Sequence, residues 1–223
     1  MNTELPYPYE AVEVPLPDGP LRLWRPTNPD ALFDALETLD ADERIPYWAE
    51  LWPSAIALAS AIAVDAPSVR GRRVIELGCG LGLVSLAAAR RGAAEVVATD
   101  WDEDALRFVD ASAAALGLKN VTTRQVDWRA PPPDLACDLL VAADVLYEAR
   151  NVPWVAGAVR ALLSPTDGAE LWFSDPGRAH RLGLPETLLE FEGHAYTTAV
   201  RGPRVPTGEA SVWVHRLRRL QAG

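Results

Sequence analysis

The chain alternates short apolar runs with longer stretches that are apolar on one side only. Residues 74–77, 95–99, 121–126, 138–142 and 170–174 have the length and composition of strands. Ala-rich helical stretches follow at 83–89, at 103–116, and from about Asn151, where Pro153 sits in the first turn. Two further strand candidates, 195–201 and 210–218, are joined by a Gly/Pro-rich loop. Continuous apolar runs such as 138–142 suit a sheet buried on both faces. The pattern therefore predicts an α/β, Rossmann-like, seven-stranded, mostly parallel sheet with one antiparallel edge strand and helices on both faces. Ahead of it, residues 9–25 alternate around Pro17-Asp18-Gly19, a hairpin signal, and Asn28 is placed to cap a helix over 29–39. We read residues 1–223 as one domain, with 1–43 an N-terminal extension and 44–223 the core.

Composition narrows the function. The 223 residues are 49% hydrophobic and 23% charged, as in globular proteins, and no apolar run is long enough to span a bilayer. The start of the chain has neither a basic region nor an apolar signal core, so a cytoplasmic protein is expected. Net charge is −10, which argues against nucleic acid as a partner because phosphate binding needs a basic face. Two cysteines make neither a disulfide framework nor a zinc set, and no metal site is expected.

The chemistry concentrates where apolar runs end. Residues 74–77 pass into Gly78-Cys79-Gly80-Leu81-Gly82, with Glu76 just before the turn. Strand, glycine turn and helix is the layout by which such sheets bind ligands at the carboxyl ends of their strands. A dinucleotide fingerprint would need glycine at 83, where Leu83 stands, and no phosphate-loop Lys-Ser/Thr pair is present. Asp100 lies 22 residues after Gly78, near the spacing at which an acid meets ribose hydroxyls. Asp102, ahead of Glu103 and Asp104, is the better helix cap. Tyr47, Trp48 and Trp52, between Pro46 and Pro53, read either as a hydrophobic staple or as an aromatic rim for a ligand. Asp144 and Tyr147 follow the fourth strand. Asp175-Pro-Gly-Arg178 after the fifth reads as a turn with a local ion pair.

Glu-x-Gly-x-Gly-x-Gly resembles the first motif of class I S-adenosylmethionine-dependent methyltransferases. Taken in order, Pro46-Tyr-Trp-Ala-x-x-Trp-Pro-Ser54, the glycine motif, Thr99-Asp100, Asp127-Trp128, Asp144-x-x-Tyr147 and Asp175-Pro-Gly-Arg178 are similar to methyltransferase family 16. These are seven-strand lysine methyltransferases, and the branch is that of the electron-transfer flavoprotein β-subunit enzymes and bacterial relatives often labelled nicotinamide N-methyltransferase-like. The resemblance covers residues 44–178. It implies S-adenosylmethionine as cofactor, S-adenosylhomocysteine as product, and a cofactor site of Trp52, Glu76, Gly78, Cys79, Gly80, Gly82, Asp100, Trp101, Asp127, Trp128 and Ala143. Glu76 would organise the methionine amino end, Asp127 would accept from the adenine amine, and Trp101 would cover one face of the ring.

By the same resemblance, Asp144 and Tyr147 face the methyl acceptor, with Trp52 completing an aromatic wall. The expected partner is a protein with an accessible lysine. A small-molecule amine or pyridine-like acceptor is the alternative, and a non-catalytic cofactor-binding protein a third reading. An open acidic rim would favour the protein acceptor, a closed apolar pocket the small molecule.

Overall fold

A computed structural model describes residues 5–34, 45–166, 168–201 and 209–220. The N-terminal hairpin pairs β1 (Tyr9–Val14) with β2 (Leu21–Pro26), and α1 (Pro29–Asp34) follows. The expected continuation of α1 to Leu39 lies outside the described residues. After a 3-10 turn at Tyr47–Ala49 come α2 (Pro53–Val64), β3 (Arg73–Leu77), α3 (Leu83–Arg90), β4 (Glu95–Asp100) and α4 (Glu103–Ala115). Then follow β5 (Val121–Gln125), β6 (Leu139–Ala143), α5 (Asn151–Leu162), β7 (Glu170–Asp175), α6 (Gly183–Thr187), β8 (Phe191–Val200) and β9 (Ala210–Arg219).

Seven strands form one sheet in the order β5-β4-β3-β6-β7-β9-β8. Strands β3 to β7 run parallel, and β9 pairs antiparallel with both β7 and β8. The antiparallel edge is thus the final hairpin, with its second strand inserted beside β7. β8 begins four residues before the sequence pattern suggests. Its outer positions are exposed, so no apolar alternation marks them, while pairing with β9 carries the strand on to Phe191.

Alternate residues of each strand feed opposite layers. Val74, Leu139, Val141, Trp172 and Val214 join the side chains of α2, α3, α4 and the hairpin. Ile75, Leu77, Leu140, Ala142 and Phe173 join those of α5 and α6. Helix α2 is buried nearly all round, which is why its composition shows no polar face. The hairpin is fastened to the first layer: the Trp24 amide donates to Ser112 Oγ at 2.9 Å, and Arg90 grips Asp18 and the Pro20 carbonyl. It covers α3 and α4, and no described residue of 5–34 lines the cavity discussed below. Among the described residues, no helix is long and apolar enough to cross a membrane.

Candidate active site

Parallel register brings the carboxyl ends of five strands abreast. Leu77 pairs with Thr99 and Ala142, Asp100 with Gln125, and Ala143 with Ser174. Neighbouring βα connections leave β3 toward opposite sides of the sheet, and the crevice that opens there is the usual ligand position in such folds. Here it is a cavity of about 840 Å³. All thirteen residues singled out from the sequence line it: Trp52, Glu76, Gly78, Cys79, Gly80, Gly82, Asp100, Trp101, Asp127, Trp128, Ala143, Asp144 and Tyr147.

The floor is acidic. Glu76 is 1% exposed, and its Oε2 accepts from the amide and the hydroxyl of Ser85 at 2.8 and 2.5 Å. Burial pushes its carboxyl up to about 8 despite those bonds. Asp100 accepts from the Gly80 amide at 2.8 Å through one oxygen and from the Asp102 amide at 3.0 Å through the other. Burial raises it to about 6. Between them the glycine turn runs at positive φ, 62° at Gly78 and 51° at Gly80, conformations that other residues rarely hold. The Cys79 thiol is buried beside Asp100, and burial drives it well above its ordinary value. That makes it a wall of the cavity, not a nucleophile.

At the β5 end, both oxygens of Asp127 accept from Arg129 Nε, at 2.9 and 3.0 Å, which holds the carboxyl below its ordinary value. Asp127, expected to offer its oxygens to an amine, therefore shares them with an arginine two residues on. The Arg129 guanidinium lies 5.4 Å from the Trp101 ring centre and 5.8 Å from that of Trp154.

The other end carries the candidate acceptor residues. Asp144 is 9% exposed and holds φ of 58°, the only non-glycine residue with positive φ among those described. Burial raises its carboxyl, opposed by Arg178. Tyr147, 39% exposed, lies 5.5 Å from Tyr47, which lies 6.1 Å from Trp52. Burial raises the Tyr147 phenol. The aromatic segment before α2 therefore divides between its two readings. Trp48, 7% exposed, packs on Phe108 and Tyr7 as a staple and meets the cavity only at its edge, while the more exposed Tyr47 and Trp52 face it.

Sequence reasoning assigned Arg178 to a local pair with Asp175, and the structure corrects this. The Arg178 backbone amide donates to Asp175 Oδ1 at 2.6 Å, but its guanidinium reaches Asp144. Arg129, Asn151, Trp154 and Arg178 line the cavity without having been singled out as ligand residues. Only Arg178 stood in a motif, and proximity along the chain suggested the wrong partner.

A family model described as lysine methyltransferase matches residues 39–171. The electron transfer flavoprotein beta subunit lysine methyltransferase of Xenopus laevis is 31% identical over 142 residues, which are 60% of this chain and 54% of that protein. The Danio rerio protein of the same name is 30% identical over 168 residues, 69% of this chain and 64% of the relative. The match thus spans between about half and two thirds of the length of these curated relatives. The Thermus thermophilus 16S rRNA N2 G1207 methyltransferase, solved with AdoMet and guanosine, is similar in fold. It gives a TM-score of 0.65 at 19% identity, over 97% of this chain and 52% of that one.

Proposed function

The chain belongs to the lysine methyltransferase family, and we propose that it transfers a methyl group from S-adenosylmethionine to a lysine side chain of a protein, in the cytoplasm. The observation that carries this reading is that one cavity joins the carboxyls of buried Glu76 and half-buried Asp100 at its floor to a third carboxyl beside aromatic rings at its open end.

The floor suits the cofactor. The charge of half-buried Asp100 adds to burial in disfavouring ionisation of Glu76, and a ligand that brings positive charge relieves that cost. Glu76 would hold an amino group, and Asp100, oriented by two backbone amides, would accept from a diol. Gly78 and Gly80 would let the ligand approach the backbone. The cofactor supplies a methyl group already activated on a sulfonium. What is left to the protein is positioning and control of charge.

At the open end, Asp144 would orient the acceptor nitrogen while Tyr47, Trp52 and Tyr147 wall it in. Aromatic faces attract cations, so the same wall would hold a methylated ammonium. Tyr47 and Tyr147 are each 39% exposed, so the acceptor end opens to solvent, and Glu148, next to Tyr147 in the chain, also lines the cavity. An open end supports a protein-borne lysine over an enclosed small molecule. Both cysteines are buried free thiols, in keeping with a reducing compartment.

The test offers tritiated-methyl S-adenosylmethionine to lysate of the source organism, split by a size filter, with wild type and Asp144→Ala. The reading expects label in a protein band, lost in the variant, while calorimetric affinity for S-adenosylhomocysteine stays within about threefold. Label confined to the filtrate would replace it with a small-molecule acceptor.

A further inference from the structure

Asp144 meets the acceptor end already paired. Arg178 Nε and Nη2 each lie 2.9 Å from its Oδ1, and Ser54 Oγ lies 3.4 Å from its Oδ2. Both partners are fixed. Ser54 is buried at the start of α2. Arg178 leaves a turn in which the amides of Gly177 and Arg178 donate to Asp175 Oδ1 at 2.7 and 2.6 Å. The Asp144 amide is itself tied to the Ser174 carbonyl at 2.9 Å, so the loops after β6 and β7 are joined through backbone and side chain.

A lysine amine has a reference pKa near 10.4, and the ammonium form has no lone pair to give. A lone carboxylate beside it favours the charged form and deepens the problem. Arginine stays charged at any working pH, so an arginine bound to that carboxylate cancels its field permanently. We propose that Arg178 is a positioning residue that sets the protonation state of the acceptor nitrogen. By neutralising Asp144, it leaves the carboxylate able to orient the amine by hydrogen bonding without stabilising the ammonium. The proposal rests on the lysine methyltransferase reading.

The other groups around Asp144 do not supply this charge. Asp175 at the end of β7 opposes ionisation of Asp144, and the other carboxyls of the cavity lining, Asp100 and Glu50, bring no positive charge. On the Asp144 loop, Glu148 is paired with Arg150, and Tyr47 and Tyr147 present phenols. In the reaction the acceptor nitrogen gives its lone pair to the methyl carbon as the carbon–sulfur bond breaks, with that bond's electrons remaining on sulfur. The nitrogen then carries the positive charge and releases a proton to water.

The experiment follows protein methylation in the lysate assay from about pH 6.5 to about pH 10 for wild type, Arg178→Gln and Arg178→Lys. With glutamine the acid limb should move at least about one unit higher, so activity falls roughly tenfold or more near pH 7.5 and recovers to within about threefold near pH 10. Lysine keeps the charge, and its acid limb should stay within about half a unit of wild type even where its poorer geometry lowers the rate. Carbon-13 carboxyl NMR of aspartate-labelled protein gives a readout without substrate: Asp144 should titrate higher in Arg178→Gln than in wild type. A loss uniform across pH, an unmoved Asp144 titration, or a lysine variant shifted like glutamine overturns the proposal. If the glutamine variant does not fold, Arg178→Met, which also lacks the charge, is read in the same way. Wild type that binds S-adenosylhomocysteine but labels no protein at any pH overturns the lysine reading and this proposal together. Labelling by wild type with an unmoved limb in the variant overturns the proposal alone.

Discussion

Gly82 and Val109 meet where α3 begins against α4. A Cβ built on Gly82 would lie 2.6 Å from Val109 Cγ2 and 3.0 Å from Cγ1, and Gly82 holds φ of 76°. The glycine turn is therefore fixed by helix packing as well as by any ligand. Gly82→Ala places an L residue in the left-handed region, at about 1–2 kcal/mol, and overpacks the contact by about 1–3 kcal/mol. Urea denaturation should show a loss of about 2–5 kcal/mol. Adding Val109→Ala should cost less in that background than in wild type, because the two changes share one contact. Strictly additive losses would mean that the backbone strain acts alone.

Glu76 gives a pH dependence with a defined sign. Its folded carboxyl titrates near 8 against an ordinary value of 4.5. Between these values the unfolded chain has lost the proton and the ligand-free folded protein keeps it. Stability therefore falls as pH rises through that window, by about 1.4 kcal/mol per unit at most for one proton. Below about 4.5 both states are protonated and the contribution is whole. Glu76→Gln has no proton to lose, so its melting temperature relative to wild type should climb from pH 5 to pH 8 and then level off. A difference that does not change with pH would show that Glu76 is ionised in the empty site.

The two tryptophans of the segment before α2 should separate cleanly. Trp48→Ala removes a buried indole from Phe108 and Tyr7 and should cost about 3–5 kcal/mol. Trp52, whose Nε1 donates to the Tyr47 carbonyl at 2.8 Å, faces the cavity. Trp52→Ala should stay within about 1 kcal/mol of wild-type stability by the usual scale of surface changes, while methyl transfer falls at least about tenfold. Equal stability losses in the two variants would contradict this division.

What was legible in the sequence was local. Apolar runs ending in Glu76-Leu-Gly78, Asp100, Asp127 and Ala143-Asp144 mark strands whose carboxyl ends carry polar groups, and parallel topology then collects those ends in one crevice. That is why a mostly parallel sheet and the thirteen cavity residues could be anticipated without coordinates, while the order of the strands came from the structure. The extent of β8 could not, because an edge strand is specified by its partner as much as by its own alternation.

The sequence by itself determined that acids and aromatics would gather around a glycine turn, since spacing along short strands fixes which residues reach the sheet's edge. Only the tertiary structure decided how their charges are shared. Asp127 is held by Arg129, a neighbour in the chain. Asp144 is held by Arg178, 34 residues away, because Ala143 and Ser174 are paired across β6 and β7 and bring the two loops together. Trp48 and Trp52 are chemically alike, yet Trp48 in the 3-10 turn is packed into the core at the cavity's edge, while Trp52 at the start of α2 is left half-buried and facing the cavity. Charge falls off with distance through space, and packing depends on direction, so neither could be read from separation along the chain.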